Sequence, residues 1–300
     1  APASYVLDAV VNGHWLIQHD DAGNICSKPP FYIWLAAVGM KLGGCINTFW
    51  LYLPNALAMA GVALLLFAWG KRFFGVRAGM FAALMFLLCH LTVKHVALAR
   101  TDALFACTVA LAAFAAFRAW RQEGSWFWFW LACAATTLTK GPLGILLAAG
   151  GLLAAVWGFK GKALKRDARG HVLGLICFAI ICGGWWCAAY HSEGAALSDK
   201  MLKQELVTHA MTPKADGKYW RDLFKPTGYF FGRFAPWFLL TLVQVWRVIR
   251  KPSTELEQRA LERFLVCWLG LGWLVFSLSP HHRPDHIVPL LAPAALLAGM

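Results

Sequence analysis

Apolar stretches of transmembrane length recur along most of this 300-residue chain, and they constrain its fold more than any other feature. Residues 49–69, 78–93, 104–120, 126–139, 144–159, 172–189, 229–248 and 264–278 are apolar stretches that could cross a hydrocarbon core, which takes about 20 residues; several are short, so their boundaries shift by about a turn. A further run opens at 287 and reaches the last residue after about 14 positions, too few for a crossing. The segment 30–40 is apolar over only about 11 residues, which suits an interfacial or re-entrant helix. The composition agrees: 59% hydrophobic and 14% charged, where a soluble domain has about 45–50% apolar and about 25% charged residues. Soluble, disordered, collagenous and small disulfide-scaffold classes are excluded. The expected fold class is all-α, a polytopic membrane helical bundle with interfacial helices in its outer loops. The opening Ala1-Pro2-Ala3-Ser4 without an initiator Met, and the short last run, lead us to expect a fragment of a longer protein.

The net charge of +13 would suit a nucleic-acid binder, but its distribution does not. Alternate loops, around 71–77, 118–123, 160–169 and 247–263, carry an excess of about +10, against about +3 on the other side. The positive-inside rule makes the first set cytoplasmic, so the charge is a topology signal and no nucleic-acid partner is expected. The layout that follows is one transmembrane domain over 1–300. Its parts are a first extracytoplasmic loop with an interfacial helix (1–48), spans (49–189), a second long outer loop (190–228) and further spans (229–300). Nine cysteines form no CxxC pair, and most lie in apolar stretches as small buried residues. Cys26 and Cys45 share the first loop, where an oxidising compartment allows a disulfide without requiring one. The many Trp, such as Trp126, Trp128 and Trp130 at one helix end, read as interfacial belts.

Three outer sites repeat one arrangement. Lys28 precedes Pro29-Pro30, Lys140 precedes Gly141-Pro142, and Arg283 precedes Pro284. Proline suits a helix start, whose free N–H groups and dipole favour anions, so each site sets a cation where an anion would bind. Phosphate or pyrophosphate leads; the bland alternative is that these cations snorkel to lipid headgroups. Asp102, between two apolar runs, needs pairing or function at a membrane boundary. Arg100 is its expected partner, and helix capping is a compatible role. Asp8, in a short helical pattern that stops at Asn12-Gly13, is a second candidate carboxylate. His19-Asp20-Asp21 reads as a turn. Glu205 and His209, four apart on one helix face, are compatible with metal ligation, phosphate contact or a solvated face. His281, His282 and His286 surround Arg283 without a zinc spacing, so help with phosphate is the better reading.

Taken in order, Lys28-Pro29-Pro30-Phe31-Tyr32-Ile33-Trp34, Leu53-Pro54-Asn55-Ala56-Leu57, Gly70-Lys71-Arg72-Phe73-Phe74-Gly75, Arg100-Thr101-Asp102, Leu138-Thr139-Lys140-Gly141-Pro142 and Arg283-Pro284-Asp285-His286 resemble the membrane glycosyltransferases of the GT-C superfold. Within it the chain is similar to the bacterial lipid A aminoarabinose transferase and protein O-mannosyltransferase group, over nearly its whole length. The resemblance implies transfer of a sugar from a polyprenyl-phosphate donor to a lipid, glycan or protein acceptor. The place implied is the outer face of a bacterial inner membrane, amid membrane lipids. By position it implies Asp102, with Asp8 as a second acid, in catalysis. Lys28, Arg100, Lys140, Arg283 and His209 would contact donor phosphate, and Tyr32 and Trp34 the lipid or sugar. No cofactor is required; a divalent metal is open, with Glu205 and His209 as its candidates. Two departures stand out: no acidic pair precedes Tyr5, and Ser27 stands where relatives carry Glu before Lys-Pro-Pro. The rival readings are a transporter or flippase of an anionic polyprenyl lipid, and a catalytically inactive family member.

Overall fold

The computed structural model describes residues 2–121, 123–157, 167–201, 223–279 and 283–300. Among these there is no strand, only an isolated bridge between His19 and Ile25. A short helix α1 (Pro2–Leu7) widens into a π turn over Asp8–Asn12 and stops at Gly13, whose φ of 76° is left-handed. Helix α2 (Phe31–Leu42) buries Tyr32, Ile33, Ala36, Ala37 and Met40. Its other face exposes Leu35, Val38 and Leu42, the apolar stripe expected of an interfacial helix.

Helix α3 (Thr48–Phe74) starts at Asn47, whose side-chain oxygen accepts the Trp50 N–H at 3.2 Å. Its 27 residues extend about 40 Å, more than a bilayer core needs. The chain reverses into α4 (Val76–Leu87), and α3 and α4 cross with almost no space between them. A Cβ on Gly70 would lie 2.4 Å from the Gly79 Cα, and one on Gly79 would lie 2.4 Å from the Phe67 carbonyl oxygen. Helix α5 (His90–Val96) continues from α4 after a 62° bend. Helix α6 (Asp102–Trp120) is the most enclosed of the crossing helices, because its many alanines let neighbours approach on nearly every side.

Helix α7 (Trp126–Lys140) begins where Asp167 accepts from the Ser125 hydroxyl, the Trp126 N–H and the Gly170 N–H at 2.7, 3.0 and 2.8 Å. One carboxylate thereby ties the starts of α7 and α9. Helix α8 (Leu143–Ala149) runs into a 3₁₀ turn to Ala155. Helices α9 (Ala168–Phe178) and α10 (Gly184–Glu193) join through a π turn, and α11 (Ala195–Ser198) follows. Then come α12 (Lys225–Arg233), α13 (Phe238–Arg250), α14 (Leu256–Leu278), a 3₁₀ segment (Pro284–Leu290) and α15 (Leu291–Ala298).

Among the described residues, four helices are long and apolar enough to cross a membrane: Thr48–Phe74, Asp102–Trp120, Ala168–Glu193 and Leu256–Leu278. The bent α4–α5 pair makes up to five. The expected run 126–139 is one continuous helix, Trp126–Lys140, while two other expected crossings come out differently. The run 229–248 is two helices, since Pro236 has no N–H to continue the ladder. The run 144–159 is a short helix that tightens into 3₁₀ geometry. Hydropathy sees apolar length but not these interruptions.

Ion pairs mark one end of the bundle: Arg72 with Glu123 and Arg247 with Glu262, both at 2.7 Å, and Arg121 with Glu257. These are the residues that the charge count assigns to the cytoplasm. Cys26 and Cys45 are not joined in a disulfide; the Cys26 Sγ is buried and donates to the Lys28 carbonyl at 3.3 Å.

Candidate active site

At the opposite end, chain segments far apart in sequence converge. Asp102 is the first residue of α6 and Lys140 the last of α7, and the Lys140 ammonium donates to the Asp102 carboxylate. The partner expected for Asp102, Arg100, is engaged elsewhere: it donates to Asp285 at 2.7 Å, and Lys94 donates to the other oxygen of Asp285 at 2.6 Å. Nor does Asp102 cap α6. Thr101 holds the cap position, and the Asp102 carboxylate sits in the first turn, where the helix dipole favours it.

Between the two aspartates stands His95, fully buried. Its Nδ1 lies 2.7 Å from the Leu91 carbonyl, and its Nε2 lies 3.5 Å from Asp285 and 4.0 Å from Asp102. That Nε2 has no hydrogen-bond partner among the described residues. Sequence reasoning missed Lys94, His95 and Asp285. The signal for Asp285 was the one that singled out Asp102, a carboxylate at a membrane boundary.

Each element places its group for a local reason. The 62° bend after α4 turns α5, and with it Lys94 and His95, toward Asp285. Buried Asn55 of α3 donates to the Leu98 and Arg100 carbonyls at 2.5 and 2.8 Å, which fixes the turn that delivers Arg100. Gly141, with φ of 98°, ends α7 directly after Lys140.

His286 reports which cations act here. Burial first, then the positive charge of Lys140, push its imidazole down to about 4; Arg283 and Lys28 add to this and Asp102 opposes it. Lys28, Lys140 and Arg283 come from three separate segments, and the positive charge of each adds to this downward shift. Lys28 is half-buried before α2, and Arg283 is exposed before the 3₁₀ segment.

The remaining expected residues fall elsewhere. Tyr32 is wholly buried and donates to the Leu51 carbonyl at 2.8 Å, so its ring belongs to the α2–α3 packing and offers no surface to lipid or sugar. Trp34 is half-buried, donates to the Trp15 carbonyl at 2.6 Å, and lines a shallow hollow with Trp15, Leu16 and Val38. Asp8 has its own partners, Asn12, His14 and the His19 N–H, rather than the groups around Asp102. Glu205, His209, His281 and His282 lie outside the described residues.

The ligand atoms of His95, Asp102 and Asp285 fall within 4.8 Å of one another. Lys140, Lys94 and Arg100 already neutralise the two carboxylates, so a divalent cation added there would meet net positive charge. The cluster suits an anion better.

The architecture is an all-α, polytopic membrane helical bundle of GT-C-like kind, with a cationic, carboxylate-buffered cluster at one end. The crystal structure of ArnT from Cupriavidus metallidurans bound to undecaprenyl phosphate superposes with a TM-score of 0.83 at 21% identity, over 99% of this chain and 54% of that one. The apo oligosaccharyltransferase of Archaeoglobus fulgidus superposes more loosely, with a TM-score of 0.54 at 10% identity, over 99% of this chain and 45% of that one. The family model for dolichyl-phosphate-mannose-protein mannosyltransferase matches residues 27–186, more than half of the chain, and the chain belongs to that family. Among curated proteins, undecaprenyl phosphate-alpha-4-amino-4-deoxy-L-arabinose arabinosyl transferase 1 of Pseudomonas fluorescens is 24% identical over 302 residues, 97% of this chain and 51% of its own length. The corresponding transferase of Erwinia tasmaniensis is 24% identical over 301 residues, 97% of this chain and 52% of its own length. The chain spans about half the length of the curated relatives it matches.

Proposed function

We propose that this chain is the membrane-embedded catalytic part of a glycosyltransferase that moves a sugar from a polyprenyl-phosphate donor to an acceptor at the outer membrane face. The observation that carries this reading is the Asp102–Lys140 pair beside buried His95 and Asp285, whose carboxylate Lys94 and Arg100 also hold. The relatives named for undecaprenyl-phosphate aminoarabinose make a polyprenyl-linked pentose the first donor to try.

In the reaction the bond between the anomeric carbon and a phosphate oxygen breaks, and the phosphate departs with the electron pair. Lys140, Lys28 and Arg283 stabilise the charge that develops on it, the electrostatic contribution that usually dominates such catalysis. An acceptor oxygen attacks from the opposite face, which inverts the anomeric centre. Asp102 orients that oxygen or takes its proton; an acceptor that is already a phosphate needs no strong base. The lipid tail lies in the hollow of Trp15, Leu16, Trp34 and Val38, on the face of α2 that exposes Val38.

The test is turnover of labelled polyprenyl-phosphate sugar by protein reconstituted in lipid. Asp102→Asn and Lys140→Met should each lower transfer at least about tenfold, or about 1.4 kcal/mol in the barrier, while folded protein persists in the membrane. Near-normal turnover in both variants would remove these residues from the site.

A further inference from the structure

A second cluster at the same end shares no residue with the one above. The π turn Asp8–Asn12 and the left-handed Gly13 swing the chain back on itself, so the His14 Nδ1 comes to 2.9 Å from Asp8 Oδ1. Farther along, the His19 backbone N–H binds Asp8 Oδ2 at 2.8 Å, and its ring Nδ1 lies 3.9 Å from the same oxygen. One ligand atom from each of Asp8, His14 and His19 falls within 4.8 Å of the others. Ligands about 2.0–2.1 Å from a tetrahedral zinc ion lie about 3.3 Å from each other, and the separations of 2.9 and 3.9 Å bracket that figure.

Two further features separate this arrangement from a casual histidine–aspartate contact. His19 presents Nδ1 toward Asp8 while its Nε2 lies 3.6 Å from the Glu193 carboxylate at the end of α10. A ligand histidine whose other nitrogen faces a carboxylate is the usual way a protein fixes the ring and raises its basicity. The floor is also closed and the mouth open: the side chains of Asp8, His19 and His14 are 8%, 28% and 52% exposed. Asn12 and the His19 N–H hold the carboxylate in place, and among the described residues no lysine or arginine is bonded to it. This contrasts with Asp102 and Asp285, whose charge is already met by cations. The turn chemistry nearby belongs to Asp20, which binds Asn24 and Ala22, and leaves the His19 ring to the cluster.

We infer that Asp8, His14 and His19 form a site for a divalent transition metal of the zinc type, with Glu193 positioning His19 and water in the fourth place. Imidazole nitrogen with one carboxylate oxygen is a ligand set that suits zinc and copper better than magnesium or calcium. The bound ion pins the first outer loop back on itself, and the His19–Glu193 contact sets that loop beside the end of α10.

The experiment strips the detergent-purified protein with chelator, returns zinc ions, and measures metal retained per chain and the shift in thermal midpoint. The wild-type chain should retain one zinc that the double variant His14→Ala/His19→Ala does not, with the midpoint rising only in the wild type. His14→Gln alters an exposed ring and should weaken binding at least tenfold, and Glu193→Gln should weaken it 10- to 100-fold. Metal-free protein of each variant should elute from gel filtration as the wild type does, which separates lost ligation from lost folding. Equal zinc retention in wild type and double variant, or no retention by the wild type, overturns the site. Sugar transfer is not the readout, so the result stands apart from the donor-phosphate reading.

Discussion

Lys140 and Asp102 neutralise each other across the gap between α6 and α7. Removing one partner leaves the other charged in an enclosed place, which typically costs about 3–5 kcal/mol, whereas removing both is far milder. Lys140→Ala should therefore lower the thermal midpoint in detergent much more than the double variant Asp102→Asn/Lys140→Met, and equal losses would show that the pair is not coupled. Asn55 works on the backbone instead. Asn55→Leu leaves two carbonyls of the 98–100 turn unmet, and at about 1–3 kcal/mol for such buried groups the midpoint should fall measurably. His286 sets the response to acid. Its folded value of about 4 lies below the 6.5 of a free imidazole. In between, the unfolded chain takes up a proton that the folded chain refuses. Its contribution to stability is thus whole above pH about 6.5 and is lost as the pH falls toward 4. His286→Gln should flatten the stability profile in that window, and an unaltered acid limb would count against it.

At the scale of elements, the α3–α4 crossing rests on two glycines that meet backbone to backbone. Gly70→Leu has no room at 2.4 Å from the Gly79 Cα, so little monodisperse protein should be recovered, while Gly183→Ala, with open space around its Cβ position, should behave as wild type. Much at this scale was legible beforehand. The run 104–120, bounded by Asp and Trp, becomes α6 almost residue for residue, and the apolar 30–40 segment becomes α2. Asp102, Lys28, Lys140 and Arg283 stood out because a charge beside an apolar run needs a reason. The partner of Asp102 was not legible, since Arg100 is near in sequence and Lys140 comes from another helix. Nor was the burial of Tyr32, because a short apolar helix does not announce which face meets the protein.

For the whole molecule, the basic loops and the catalytic candidates occupy opposite ends, as the charge asymmetry predicts for a membrane protein with a cytoplasmic basic face. Thiol labelling tests that orientation. Exposed Cys45, between α2 and α3, should react with an impermeant maleimide applied outside intact cells. A cysteine placed by Arg77→Cys in a Cys45→Ala background should react only after permeabilisation, and the reverse pattern would invert the proposed topology. The arrangement at the outer end has a further consequence. Lys94, Arg100 and Lys140 already grip the carboxylates of Asp285 and Asp102 before any substrate arrives. On the proposed function, an incoming anionic donor would have to displace a built-in rival rather than fall onto bare positive charge, so the acidic headgroups of the surrounding leaflet would gain little by visiting. On the proposed reaction, the resident carboxylates would reclaim their cations once the spent phosphate leaves, resetting the pocket.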